Sequence, residues 1–102
     1  MCGIAGIVSK QSVNQECYQK GIKRMVESLY HRGPDSQGIY SFESCALGNT
    51  RLSFVDLTNG KQPILSHNKQ SAITFNGEMY GFQDVKQKVK SYPFKTNTDT
   101  EI

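Results

Sequence analysis

Cys2 is the residue with the most chemistry to offer. If the initiator Met1 is trimmed, Cys2 becomes the N-terminal residue and carries a free α-amine beside its thiol. In model peptides a thiol and an α-amine titrate within about one pKa unit of each other, so moving the proton from sulfur to nitrogen costs about 1 kcal/mol. One residue then holds both nucleophile and general base, the N-terminal variant of serine–histidine logic. Such a thiolate attacks a carbonyl carbon and leaves a thioester, so the implied chemistry is acyl transfer or amide hydrolysis. Gly3 beside it lets backbone come close to a substrate. Taken alone, a cysteine at position 2 also fits an inert, small apolar residue.

Other segments supply groups that such a reaction needs. In Asn76-Gly77 the side-chain amide and the glycine N–H can face an oxyanion together, and losing one such donor typically costs ~2.7–4 kcal/mol. The same dipeptide also reads as an ordinary hairpin turn. Arg51 suits a bidentate clamp on a carboxylate, or an exposed strand position. Glu78 and Asp99 suit a substrate ammonium, or plain solvation. The run His31-Arg32-Gly33-Pro34-Asp35 reads as a helix end with Gly and Pro stop signals, and His31 is not needed as a base if the α-amine serves. His67 sits in a polar loop with no candidate partner, and Cys17 and Cys45 read as packing residues.

The elements that must position these groups follow from periodicity. Residues 2–8 form a continuous apolar run expected as a short buried strand. Ser12 with Gln15 fits a capping box. Tyr18, Ile22, Met25, Val26 and Leu29 then fall on one face of a helix that Gly33-Pro34 stops. Strands are expected over 39–42, 46–55 and 71–75, separated by Thr58-Asn59-Gly60 and the polar 66–70. Phe82, Val85 and Val89 predict a second short helix, basic on its other side. Strand, helix, three strands, helix is a mixed α/β or α+β order.

Composition bounds the rest. At 102 residues the chain holds one domain at most. Counting Gly and leaving out Tyr, about 40% of it is apolar against ~45–50% in typical globular chains, so the core is thin. Leu, Ile, Val and Phe make up about 23%, just above the range where disorder is the default. A net charge of +3, scattered along the chain, gives no nucleic-acid footprint. No apolar run is long enough to span a bilayer, and residues 1–8 lack the basic flank of a secretory signal. Three cysteines make neither a paired framework nor a metal spacing, which fits reduced thiols in a cytoplasmic setting.

The order of the motifs is more specific than any one of them. Cys2-Gly3-Ile4-Ala5-Gly6-Ile7, His31-Arg32-Gly33-Pro34-Asp35, Arg51-Leu52-Ser53-Phe54-Val55-Asp56-Leu57, Phe75-Asn76-Gly77-Glu78-Met79-Tyr80 and Thr98-Asp99-Thr100-Glu101 resemble consecutive signatures of the class II glutamine amidotransferases, which are N-terminal nucleophile hydrolases. Pro34-Asp35 and the Arg51 run look like the glutamine-hydrolysing asparagine synthetase branch. The sequence departs from the family pattern at Asn49-Thr50, where His or basic residues are common, and at Phe54, Met79 and Gly81.

The resemblance implies an α+β fold, an αββα sandwich of which residues 1–102 would be only a part, C-terminally truncated and without the synthetase domain. By resemblance, Cys2 attacks the side-chain amide of glutamine and releases ammonia. Asn76 and Gly77 form the oxyanion hole. Arg51 binds the glutamine α-carboxylate, Leu52, Ser53, Phe54 and Val55 lend backbone contacts, and Glu78 and Asp99 bind the α-ammonium. No cofactor or metal is implied for this segment; ATP and Mg²⁺ would serve a synthetase domain or subunit that amidates aspartate. L-glutamine is the expected partner, with no nucleic acid and no membrane, and a homodimer is compatible with the pattern. The alternatives are a glutaminase domain serving a sugar or another metabolite, and a non-catalytic remnant.

Overall fold

A computed structural model describes residues 2–11, 14–52 and 60–102. Its elements are β1 (Gly3–Val8), α1 (Gln15–Ser28), β2 (Ser36–Ser41), β3 (Cys45–Arg51), β4 (Ile64–Leu65), β5 (Ala72–Ile73) and α2 (Phe82–Lys88). Single 3₁₀ turns cover Tyr30–Arg32 and Asp99–Glu101. β1, β3 and β2 form an antiparallel sheet in that order, and β4 with β5 forms a small second sheet. This is an α+β arrangement, one of the two that the element order allows.

α1 lies across all three strands of the first sheet. Its Tyr18, Ile22 and Val26 meet Ala5 and Ala46, with Ile7 and Leu29 packed around them. Gly48 sits where the helix comes closest: a Cβ there would stand 3.1 Å from Ile22 Cγ1, and nearer still to Val26. The small residues of β1 and β3 thus let helix and sheet approach closely enough to make dispersion contacts throughout. The Tyr18 hydroxyl is buried there without a partner among the described residues, at a cost of about 1–3 kcal/mol. Met25, expected on the buried face, is 38% exposed, and Cys17, expected to pack, is exposed as well. The core stripe is therefore narrower than the apolar periodicity suggests.

Helix ends also differ from expectation. Ser12, assigned to a capping box, lies outside the described residues, and α1 begins at Gln15 with Asn14 as its cap, Oδ1 accepting from the Glu16 N–H at 3.0 Å. Asn14 offers its short carbonyl two residues later than Ser12 would. α1 stops at Ser28, before Gly33-Pro34, because one 3₁₀ turn intervenes with Gly33 as its cap.

Register decides which side chains face away from α1. Opposed residues of an antiparallel pair share a face, and Gly3 pairs with Thr50, Ile4 with Asn49. Ile4, Asn49 and Arg51 consequently point to the side opposite α1, and the alternation extends to Cys2 at the head of β1. The β4–β5 sheet approaches this second face through Gln62 and Thr74, the latter donating to Gly48 O at 3.4 Å. Ile4 and Val8 on the same face remain largely exposed.

β3 ends at Arg51, so the part of the expected 46–55 strand beyond it is Leu52, without strand pairing, and then 53–55, which lie outside the described residues. The expected 71–75 strand pairs only over Ala72–Ile73, because the Phe75 N–H is taken by the Gln62 side chain. β4 was not legible beforehand, being only two residues long. α2 matches its expected position and stops at Lys88, with Val89 as its cap.

Candidate active site

The strand ends and the loop of 75–81 converge on one cleft of about 770 Å³. Cys2, Arg51, Leu52, Asn76, Gly77, Glu78 and Asp99 all line it, so every expected site residue among the described ones faces a common space. Ser53, Phe54 and Val55, expected to lend backbone contacts, lie outside the described residues.

Cys2 is half-buried, and its thiol donates to Leu52 O at 4.0 Å, a long contact even for sulfur. Its position is fixed through the next residue. The Gly3 N–H donates to Thr50 Oγ1 at 3.1 Å, and that hydroxyl donates to Leu29 O at 3.1 Å. One fully buried threonine therefore ties the head of β1 to β3 and to the end of α1.

Arg51 is 7% exposed. Two segments enclose it. Gly33 lies against its backbone so tightly that a Cβ would stand 2.6 Å from Arg51 N, while Asp35 N–H donates to Arg51 O at 3.0 Å. Gly60 lies against the guanidinium, with a would-be Cβ 2.8 Å from Cζ and 2.9 Å from Thr98 Cγ2. The run from His31 to Asp35 is thus more than a helix stop: it is the wall against which the cleft arginine rests. His31 itself is exposed and lies away from the cleft lining.

Asn76, Gly77 and Glu78 are exposed at the cleft surface. Tyr80 is almost fully exposed and its phenol is pushed above its ordinary value, chiefly by hydrogen bonding to the Glu78 carboxylate and by its charge. Asp99 Oδ2 accepts from the Met79 N–H at 2.8 Å, which joins the 3₁₀ turn to the loop carrying Asn76. The turn is held in place by Glu101, whose Oε1 accepts from Lys95 N–H (2.8 Å) and Oε2 from Thr96 N–H and Oγ1 (both 2.6 Å). Burial alone would raise the Glu101 carboxyl; those hydrogen bonds, with Lys86 nearby, outweigh it and hold the group below its ordinary value. Lys86 of α2 adds a second anchor, donating to Thr96 O at 3.2 Å and lying over the Phe94 ring.

Thr50, Gln62 and Thr100 were not anticipated as part of the site. All three are buried polar residues: Gln62 and Thr100 belong to the cleft lining, and Thr50 lies behind it. Thr100 stands inside the Thr98–Glu101 signature and Thr50 in the Asn49-Thr50 departure from the family pattern, and both residues of that pair turn out to be buried and hydrogen-bonded. His67, expected to have no side-chain partner, contributes only its backbone N–H, donated to Tyr92 Oη. Among the described residues no group of three or more His, Cys, Asp or Glu could hold a metal ion, and no helix is long and apolar enough to cross a membrane.

Comparison with known proteins concerns the chain as a whole. Across its whole length the chain is 38% identical to asparagine synthetase [glutamine-hydrolyzing] 1 of Bacillus subtilis, spanning 17% of that protein. It is 36% identical to asparagine synthetase [glutamine-hydrolyzing] 2 of Arabidopsis thaliana, spanning 18% of it, and 36% identical to asparagine synthetase [glutamine-hydrolyzing] 2 of Oryza sativa, spanning 17%. The similarity is to the N-terminal glutaminase part of such synthetases. A family model described as a glutamine amidotransferase domain matches residues 1–102, and with that match the chain belongs to the glutamine amidotransferase domain family.

Proposed function

We propose that the chain hydrolyses the side-chain amide of L-glutamine, with Cys2 as the nucleophile once Met1 has been removed. The reading rests on one observation: Cys2, Arg51, Asn76, Gly77, Glu78 and Asp99, far apart in sequence, line a single cleft. Membership of the family supports it.

Each group has a task set by its charge. Arg51 clamps the α-carboxylate of the substrate through its planar fork. Glu78 and Asp99, the latter through Oδ1 while Oδ2 holds Met79 N–H, take the α-ammonium. The amide carbon is then presented to Cys2 Sγ, whose proton passes to the Cys2 α-amine. Sulfur adds to the carbon, and the negative charge that builds on oxygen meets the Asn76 side-chain amide and the Gly77 N–H. Collapse breaks the C–N bond, the α-amine returns its proton to the leaving nitrogen, and ammonia departs from a thioester. Water, activated by the same amine, releases glutamate and restores the thiol. A neutral mimic without the zwitterion is rejected, because it offers no opposite charge to Arg51, Glu78 or Asp99.

In this reading the domain completes as an αββα sandwich of the N-terminal nucleophile hydrolases. Its ammonia passes to a synthetase domain or subunit where ATP and Mg²⁺ activate aspartate; no residue of 1–102 is assigned to that step. The test is glutamate release from L-glutamine by the purified chain beside Cys2→Ala. Activity that disappears in the variant is the expected result, and equal activity in both overturns the mechanism.

A further inference from the structure

Gln62 is a buried amide hydrogen-bonded at both ends. Its Oε1 accepts from the Phe75 N–H at 2.6 Å, from Asn49 Nδ2 at 3.4 Å and from Thr74 Oγ1 at 3.4 Å, and its Nε2 donates to Thr100 Oγ1 at 3.3 Å. Those partners stand next to the cleft groups. Phe75 precedes Asn76 and Gly77, Thr100 follows Asp99, and Asn49 lies two residues before Arg51 on the same strand face. The four partners belong to three segments, and none is nearer to Gln62 in sequence than twelve residues.

We infer that Gln62 is the positioning residue of this site, the one side chain that sets the oxyanion loop, the carboxylate-binding strand end and the ammonium-binding turn at their mutual distances. The inference rests on the function proposed above. The physical ground is the cost of leaving it out. Phe75 has no strand partner for its N–H, so without the Gln62 carbonyl that donor is orphaned, and the segment relaxes to find another acceptor. The cleft is formed by short loops rather than by long elements; the Asp99–Met79 and Thr74–Gly48 bonds each join two of the segments, and Gln62 touches all three. A misplacement of about 1 Å in such a constellation lowers rate by up to a hundredfold.

Gln62→Met keeps the volume and removes every hydrogen bond, whereas Thr100→Val removes only the link to the Asp99 turn. The parent chain and both variants are compared by steady-state glutamate release and by amide hydrogen exchange. For Gln62→Met we expect kcat/KM to fall about ten- to a hundredfold, with kcat lowered and KM raised together. For Thr100→Val we expect KM to rise with kcat near the parent's, since only the ammonium end is disturbed. Exchange at Phe75 and Asn76 should accelerate at least tenfold in Gln62→Met while Ile22 and Val26 keep the parent's rates. A fall in kcat at unchanged KM, in both variants, overturns the inference and leaves Gln62 as a contributor to folded fraction alone. Unchanged exchange at Phe75 and Asn76 overturns it as well. If the parent releases no glutamate, the proposed function has failed and the exchange rates decide the role of Gln62 separately. If Gln62→Met does not fold, Thr100→Val decides: local exchange faster at 99–101 with a raised KM supports the role, and parent-like values refute it.

Discussion

Thr50→Val tests whether the head of β1, and Cys2 with it, is held by a hydrogen-bond relay or merely by packing. The two side chains are nearly equal in volume, so no cavity opens, and what is lost is a hydroxyl with 0% exposure. That hydroxyl accepts from Gly3 N–H and donates to Leu29 O, each at 3.1 Å. Two such bonds contribute about 0.5–1.5 kcal/mol each, and the buried Gly3 N–H left without an acceptor costs about 1–3 kcal/mol in its place. Both routes give about 1–3 kcal/mol, so the expected loss is about 2 kcal/mol, a large share of the roughly 5–15 kcal/mol that a domain possesses. For a chain of this size about 4–8 °C of melting temperature accompanies each kcal/mol, so the midpoint should drop by about 8–16 °C. Thr50→Ser keeps the relay and loses one methyl, at about 1 kcal/mol. The assay is thermal unfolding followed by circular dichroism for all three chains. The relay predicts the order parent, Ser, Val; a Val variant that melts at or above the Ser variant refutes it, since packing would then be the greater term.

Two further expectations rest on the other walls of the cleft. Gly33→Ala drives a methyl into the Arg51 backbone, where a Cβ has 2.6 Å to the nitrogen and no flexible atom can yield; we expect a loss of about 1–3 kcal/mol by denaturant titration, and a raised KM for glutamine, whereas parent-like values would show that the Arg51 strand end shifts freely. Glu101 has its carboxyl lowered from the ordinary 4.5 by its hydrogen bonds, so its contribution to stability is present above that value and is lost as pH falls through the lower, folded one. The melting difference between the parent and Glu101→Gln should therefore be largest near neutral pH and narrow below about pH 4.5; a difference that is constant from pH 7 to pH 3 would remove the carboxylate from the account.

What the sequence disclosed and what it withheld divide along the range of the interactions. β1, α1 and α2 were legible because their signal is local: an apolar run, a 3.6-residue stripe, and turn residues at the ends. The cleft residues were legible for a different reason. Cys2, Arg51, Asn76-Gly77 and Asp99 have side chains whose chemistry exceeds what packing needs, and their order along the chain carries the family pattern. The strand expected over 71–75 failed at its C-terminal half for a reason that no local window contains. Thr74 and Phe75 have the composition of a strand, but their bonds go to a glutamine twelve and thirteen residues earlier in the chain. Gln62 itself sits before a proline in a polar stretch and has no periodicity, no charge and no partner within reach of a pattern. The same holds for Thr50, whose acceptor is the helix end at Leu29. Groups that react announce themselves by residue type, whereas groups that hold the reacting ones apart at the right distance are ordinary amides and hydroxyls, identified only by whom they touch. A cleft assembled from strand ends and short turns depends on the second kind more than on the first. Substitutions at Thr50 and Gln62 should accordingly disturb the site as deeply as many substitutions within it.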